Sequence, residues 1–261
     1  MWKVMRARAA QGHRTQGFPE LEAALPDRYR GAPVLEPARC REGCRACVEA
    51  CPTGALAVDA AGPRLDLGRC LFCAECVEAC PEGALRFGRD PRMATRRRED
   101  LVLRGAAVEL AAAFEERVRR IYGRSLRLRQ VSAGGCNACE ADVAVLSTLA
   151  FDLSRFGVQF VASPRHADGL LVTGALSRNM HLALRKTWEA LPEPRFAIAV
   201  GACAISGGPY ADHPEVMNGI EGEIPVDLWV PGCPPHPLTI LDGLLRLLGR
   251  IESGAPPEAW R

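Results

Sequence analysis

No run in this 261-residue sequence is long and apolar enough to span a bilayer. The most apolar stretch, Leu238 to Leu248, is broken by Asp242, Gly243 and Arg246 and falls short of the ~20 residues a spanning helix needs. Charge of one sign is also missing: 33 Lys and Arg stand against 31 Asp and Glu, a net of +2, so nothing draws the chain to nucleic acid. The fifteen aromatics are few and scattered, with no pattern for stacking bases. Met1 to Arg14 sets Trp2, Val4 and Met5 among Lys3, Arg6, Arg8 and Arg14, and so lacks the continuous apolar core of a secretory signal. The expected compartment is the reducing cytoplasm, where cysteines serve as metal ligands more readily than as disulfides.

What is abundant is cysteine. Twelve are present, eight between residues 40 and 80 and four between 136 and 233, which divide as four, four and four. A hydrophobic content of 48% allows a substantial core, and length with the cysteine distribution points to two domains.

The segment Cys47-Val-Glu-Ala-Cys51-Pro-Thr-Gly-Ala-Leu56 recurs as Cys76-Val-Glu-Ala-Cys80-Pro-Glu-Gly-Ala-Leu85, one substitution in ten at an offset of 29. This is an internal duplication. The second copy reads Cys70-x2-Cys73-x2-Cys76-x3-Cys80-Pro81, a spacing in which three thiolates bind one [4Fe-4S] cube and the fourth crosses to the other. That logic places Cys51, Cys70, Cys73 and Cys76 on one cluster and Cys40, Cys44, Cys47 and Cys80 on the other. The first copy has one more residue, Cys40-x3-Cys44. Either Gly43 absorbs it as a bulge, or Cys40 stays unbound over a labile or three-iron cluster. Zinc is the alternative metal, but all-cysteine zinc sites pair two x2 knuckles across a longer gap.

Residues 1–39 carry Pro19, Pro26, Pro33 and Pro37 and read as a short helix followed by an extended arm, which wraps its own cluster domain or docks on a partner. Arg89, Arg92, Arg96, Arg97 and Arg98 form a basic run, read as a solvated linker in preference to a contact with an acidic partner or anionic lipid. Leu103, Ala107, Leu110, Phe114, Val118 and Ile121 recur at steps of three and four, which predicts a helix from about Asp100 to Tyr122 with Gly123 as its stop.

Beyond residue 123, apolar runs at Leu126–Val131, Val158–Val161, Gly169–Thr173, Phe196–Val200 and Val226–Val230 predict strands. Helices are expected between them at about 139–151, 178–191 and 237–249. Such alternation argues for a parallel α/β sheet, whose ligands sit beyond the carboxyl ends of the strands. Cys136 and Cys139 follow the first strand, Cys203 the fourth and Cys233 the last, so the four converge as an all-thiolate set suited to an iron–sulfur cube. Glu140, beside a ligand, either couples proton uptake to reduction or matches the charge of a helix N-terminus. His236 either donates to a cluster sulfide or is exposed in its proline-rich loop.

Residues 40–88 resemble a bacterial two-cluster ferredoxin, and with the arm they resemble the ferredoxin-type subunit of formate hydrogenlyase and complex I. The motifs Gly-Gly-Cys136-Asn-Ala-Cys139-Glu140, Leu171-Val-Thr-Gly-Ala-Leu-Ser-Arg178-Asn-Met180, Gly201-Ala-Cys203-Ala-Ile-Ser-Gly-Gly208 and Pro231-Gly-Cys233-Pro-Pro-His236 resemble the small electron-transfer subunit shared by complex I and [NiFe] hydrogenases. Complex I has its first two cysteines adjacent, whereas Cys136-x2-Cys139 is similar to the arrangement in membrane-bound group 4 hydrogenases. The resemblance implies an α+β ferredoxin-like domain (40–88), a basic linker and helix (89–122), and a small α/β, flavodoxin-like parallel-sheet domain (123–261). It further implies three [4Fe-4S] clusters and an electron-transfer subunit peripheral on the cytoplasmic face of a membrane complex. The implied partners are membrane subunits and a large subunit of [NiFe] hydrogenase or complex I type, which would hold the catalytic centre. Delivery of electrons to quinone is the alternative output, and a redox-sensing or zinc-stabilised scaffold the alternative class.

Overall fold

Gly169–Thr173 and Phe196–Val200 are buried at every residue, because both lie at the centre of a parallel sheet covered on both faces. The computed structural model describes residues 1–21, 23–59, 62–105, 108–123 and 125–251. In chain order its elements are α1 (Trp2–Gln11), β1 (Pro33–Leu35), α2 (Ala46–Glu49), β2 (Leu56–Asp59), β3 (Gly62–Asp66), α3 (Glu75–Glu78), β4 (Leu85–Phe87), β5 (Val102–Leu103) and α4 (Glu116–Tyr122). The second half adds β6 (Leu126–Ser132), α5 (Ala138–Val145), β7 (Val158–Phe160), β8 (Gly169–Thr173), α6 (Arg178–Glu189), β9 (Phe196–Val200), α7 (Ala202–Ser206), β10 (Leu228–Val230) and α8 (Pro237–Leu247).

The second half is a five-stranded α/β sheet in the order β10-β9-β8-β6-β7, parallel throughout. Relative to the chain the strands therefore run second, first, third, fourth, fifth. Helix α8 is buried along its whole length. The residues that interrupt its apolar run are accommodated as a pair: Arg246 Nε donates to Asp242 Oδ2 at 2.7 Å, with 3% and 1% of the side chains exposed. A charge in such a place is tolerated when its partner is one helical turn away.

The duplicated half forms two small antiparallel sheets, β1-β4 and β2-β3-β5, with the one-turn helices α2 and α3 related by the 29-residue offset. Leu65, Leu67 and Leu101 are fully buried beneath them. The arm lies on its own chain and reaches both halves. Gln16 N–H donates to Ala150 O, Arg155 reaches the carbonyls of Gln16 and Phe18, Arg89 reaches those of Leu25 and Asp27, and Pro33 to Leu35 pair with Leu85 to Phe87.

Two sequence expectations are corrected. The helix from Asp100 to Tyr122 is confined to α4, because Leu103 is taken into the sheet opposite Leu65, while Ala111 N–H and Phe114 N–H donate to Ala94 O and Leu247 O. Ala107 lies outside the described residues. The apolar stripe is real but touches different elements in turn, with Phe114 edge-on to Phe196. Nor is the basic run a solvated linker. Pro91 to Thr95 are buried, Thr95 exchanges backbone hydrogen bonds with Trp229, and all five arginines find partners in their own chain. Arg92 pairs with Asp90, Arg98 grips both oxygens of Asp66 at 2.6 and 2.8 Å, and Arg96 stacks over Phe114 beside Asp227. Arg89 holds the arm, and Arg97, two-thirds exposed, pairs with Glu99.

Candidate metal centres

All twelve cysteines are unbridged, and the fold gathers them into three sets of four. One cavity is lined by Cys40, Cys44, Cys47 and Cys80, and a second by Cys51, Cys70, Cys73 and Cys76, the crossed grouping expected from the duplication. Burial, then the neighbouring charges of Cys44 and Cys80, push the Cys40 thiol up, and burial followed by Cys40, Cys80 and Cys44 does the same to Cys47. In the second set burial, with charges on its set-mates, raises Cys70 to about 12 and Cys76 to about 11. Cys51 moves the other way. Burial works upward on it, but the backbone N–H groups of Thr53, Ala55 and Leu56 and the Thr53 hydroxyl outweigh this and hold it below its ordinary value.

The loops that carry these cysteines turn their amides toward the sulfurs. Ala55 N–H donates to Cys51 Sγ at 3.2 Å and its repeat mate Ala84 N–H to Cys80 Sγ at 3.3 Å, while Phe72 N–H donates to Cys70 Sγ at 3.4 Å. Phe72, Ala74 and Asn137 sit between cysteines of a set with positive φ of 55°, 74° and 70°. Non-glycine residues rarely hold this conformation, and its concave run of N–H groups suits a negatively charged group. Gly43 lies at φ 74° immediately before Cys44, where the second copy has Phe72 before Cys73, so the longer loop places its left-handed residue at the matching point. Cys40 thereby lines the cavity with its three set-mates.

The third set assembles at the carboxyl ends of β6, β9 and β10. Cys139 and Cys203 are buried, Cys136 and Cys233 exposed. Burial first, then the charges of the other three and Glu140, drives Cys139 strongly upward; burial, Cys233 and Cys136 bring Cys203 to about 12. Space for the set is cut from glycine. A Cβ on Gly201 would stand 2.6 Å from Cys139 Sγ, and one on Gly208 would stand 2.9 Å from Cys203 Sγ. Among the described residues no three His, Cys, Asp or Glu side chains close to the spacing of a single ion. Burial and neighbouring charge keep the Cys139, Cys203 and Cys233 thiols protonated, so they need positive charge beside them to become thiolates, and iron in a cluster would supply it over a wider span.

Glu140 stands in the first turn of α5 and accepts from Ser132 Oγ at 2.6 Å and Thr173 Oγ1 at 2.7 Å. Burial pulls its pKa up, yet these hydroxyls and its own backbone amide bring it below the ordinary carboxylate value. That favours charge matching at the helix N-terminus over proton uptake. His236 is half-buried instead of exposed: its Nδ1 accepts from Leu238 N–H at the start of α8, and its ring meets Tyr29 edge-on at 5.1 Å. Sequence reasoning missed Ser132, Thr173 and Ser206. The signal for Thr173 was one hydroxyl inside an otherwise apolar central strand, and a buried hydroxyl requires a partner.

The sets lie next to one another. Charge on Cys47 reaches Cys76, and charge on Cys73 reaches Cys233, where it adds to burial and to Cys136 in raising that thiol. Ser206 Oγ, at the end of the helix bearing Cys203, donates to Gly68 O at 2.8 Å, two residues before Cys70.

Residues 39–84 match the 4Fe-4S dicluster domain, and residues 136–247 the family of NADH ubiquinone oxidoreductase 20 kDa subunits. Formate hydrogenlyase subunit 7 of Escherichia coli is 42% identical over 145 residues, 55% of this chain and 56% of the relative's length. A probable membrane-bound hydrogenase subunit of Pyrococcus furiosus is 38% identical over 152 residues, 56% of this chain and 91% of the relative. An NADH-quinone oxidoreductase subunit of Heliobacterium modesticaldum is 41% identical over 124 residues, 47% of this chain and 71% of the relative. The chain thus spans little more than half of the formate hydrogenlyase relative and most of the other two. It belongs to the NADH ubiquinone oxidoreductase 20 kDa subunit family, with a 4Fe-4S dicluster domain joined ahead of it.

Proposed function

We propose that this chain is an iron–sulfur electron-transfer subunit of an oxidoreductase, holding three [4Fe-4S] clusters. The ligands are Cys40, Cys44, Cys47 and Cys80 for the first, Cys51, Cys70, Cys73 and Cys76 for the second, and Cys136, Cys139, Cys203 and Cys233 for the third. Each cluster, when bound, supplies a one-electron carrier. The observation that carries the reading is the contiguity of the three thiol sets, with the second between the other two. The chain's own part is to fix that order, to turn amides toward the sulfurs, and to keep Leu56 and Leu65 against the second set so that water stays out.

The strand order second, first, third, fourth, fifth supports a flavodoxin-like arrangement for 123–261, with ligands at the carboxyl ends of the strands. Residues 40–88 form the ferredoxin-type unit, and 1–39 and 89–122 strap the two together. Cys136, Cys233 and the exposed residues 134–137 open the third set to one side, and we assign that side to a large subunit of [NiFe] hydrogenase type. Two hydrogenase-complex relatives and the Cys136-x2-Cys139 spacing support this. Among the described residues no helix is long and apolar enough to cross a membrane, so attachment to membrane subunits on the cytoplasmic face would be peripheral. A second reading, delivery to quinone, is favoured by the 41% identity with an NADH-quinone oxidoreductase subunit.

Anaerobic purification of the complex tests these readings. About twelve irons per chain and reducible paramagnetic signals are expected from three cubes. Nickel and hydrogen-dependent reduction of those signals support the hydrogenase reading. Quinone reduction without nickel supports the second, and stoichiometric zinc without iron overturns both.

A further inference from the structure

The two ten-residue copies differ at one place, Thr53 in the first and Glu82 in the second, and the loops ahead of them differ by the residue added between Cys40 and Cys44. Thr53 stands two residues after Cys51 and Glu82 two residues after Cys80, so each follows a cysteine that crosses to the other copy's set. The fold gives both the same task. Thr53 Oγ1 donates to the carbonyl of Arg69, beside Cys70, at 2.7 Å. Glu82 Oε1 accepts from Arg41 Nη2, beside Cys40, at 2.8 Å. Each therefore ties the turn after the crossing cysteine to the neighbour of the first cysteine in the same set.

The two ties differ in kind. Around Cys70 the loop has other anchors: the ring of Phe72 lies 5.6 Å from that of Phe87, Arg30 donates to Phe72 O, and Cys70 is itself buried. Arg41, Glu42 and Gly43 are exposed. Among the described residues, Arg41 on Glu82 is the one side-chain hydrogen bond or ion pair that joins these three to another segment. With 69% and 40% of its side chains exposed, that pair stands in water, where salt screens it. A neutral hydroxyl on a half-buried carbonyl has no such dependence.

We infer that Arg41 and Glu82 are positioning residues for Cys40, an ionic clip that holds the longer loop to its set, so that iron leaves the first set faster than the second and at a rate governed by ionic strength. The inference rests on the three-cluster reading above. The ion at stake is the one Cys40 would hold. A [4Fe-4S]2+ cube that releases one Fe2+ leaves [3Fe-4S]0, so no electron moves and no oxidant is required.

The test follows ferrous iron released to a ferrous-specific chelator from the full chain, purified anaerobically, at about 0.05 M and about 0.5 M salt. About one iron per chain should leave faster at the higher salt, and Cys40→Ala should lack that salt-dependent phase. Arg41→Glu or Glu82→Arg alone should speed release at low salt about two- to fivefold, the range of an exposed pair. Either should also turn the salt response around, because like charges repel less when screened. Arg41→Glu combined with Glu82→Arg should restore the wild-type rate and salt response. Thr53→Val should speed release from the second set equally at both salt concentrations. Release that ignores salt, single reversals that behave as wild type, or a double reversal that behaves as the singles would overturn the inference and leave the clusters in place. A chain that carries no iron would overturn the cluster reading, and this inference with it.

Discussion

Gly201→Ala is the most local way to disturb one thiol set while leaving the other two alone. Gly201 closes β9 and opens α7 at φ +90° and ψ 155°, a region that essentially only glycine holds, at a cost of about 1–3 kcal/mol for an L-residue. Its Cβ would also stand 2.6 Å from Cys139 Sγ, with Gly232 O at 3.5 Å and Pro235 Cδ at 3.7 Å on its other sides. Relief must therefore come from Cys139, and overpacking of this kind costs about 1–3 kcal/mol more. Against a domain stability of about 5–15 kcal/mol the chain should still fold. What it loses is the position of one ligand. Iron should drop from about twelve to about eight per chain on anaerobic purification, with the signals of the duplicated half unchanged. Gly105→Ala is the control: a Cβ there meets nothing within 4 Å, and all the iron should remain. A Gly201→Ala chain with its full iron and an unshifted melting temperature would refute the packing argument. Loss of iron from all three sets would refute the independence of the third.

The crossed grouping predicts that Cys51→Ala removes the iron held with Cys70, Cys73 and Cys76 while the Cys40, Cys44, Cys47 and Cys80 signals persist; the opposite pattern would mean that the ligands do not cross. Arg98→Ala breaks two short hydrogen bonds to a largely buried Asp66 and should cost about 1.5–3 kcal/mol in a thermal melt, whereas Arg97→Ala, at an exposed pair, should leave the melt unchanged. His236 is held below its ordinary pKa of about 6.5 by burial, so its contribution to stability is fully present above that value and is lost as pH falls through the lower folded value. His236→Asn, which can still accept from Leu238 N–H, should flatten the decline in melting temperature between about pH 7 and pH 5; an unchanged slope would assign the decline to other groups.

The grouping of the cysteines around two cavities was legible because the proposed cluster chemistry demands short local spacings. Cys70-x2-Cys73-x2-Cys76 must wrap one cube corner, and the crossing of Cys51 and Cys80 follows from the duplication. Strands β8 and β9 were legible to the residue because burial on both faces demands an unbroken apolar run. The stripe from Leu103 to Ile121 misled because a three-and-four repeat records only which residues are buried. Leu103, Ala111 and Phe114 are buried by a strand, a crossing segment and a helix in succession, and their backbone donors find carbonyls distant in sequence. The arginine run misled for a related reason: its partners Asp66 and Asp227 lie tens to more than a hundred residues away.

Those corrected segments bear on function more than their composition suggests. The two outward loops that carry Cys203 and Cys233 are tied to the duplicated half, the connector or the arm. The helix carrying Cys203 ends in Ser206, which holds Gly68 O. The strand leading to Cys233 carries Trp229, paired with Thr95, and three residues on Arg98 grips Asp66. His236 meets Tyr29, whose neighbour Arg30 donates to Phe72 O between Cys70 and Cys73. A change of separation between the second and third sets would strain all three ties together, so their spacing is fixed by the fold. Two separate chains would have to associate to reach the same spacing, at a strength set by their concentrations; within one chain the second contact is intramolecular and dilution does not loosen it.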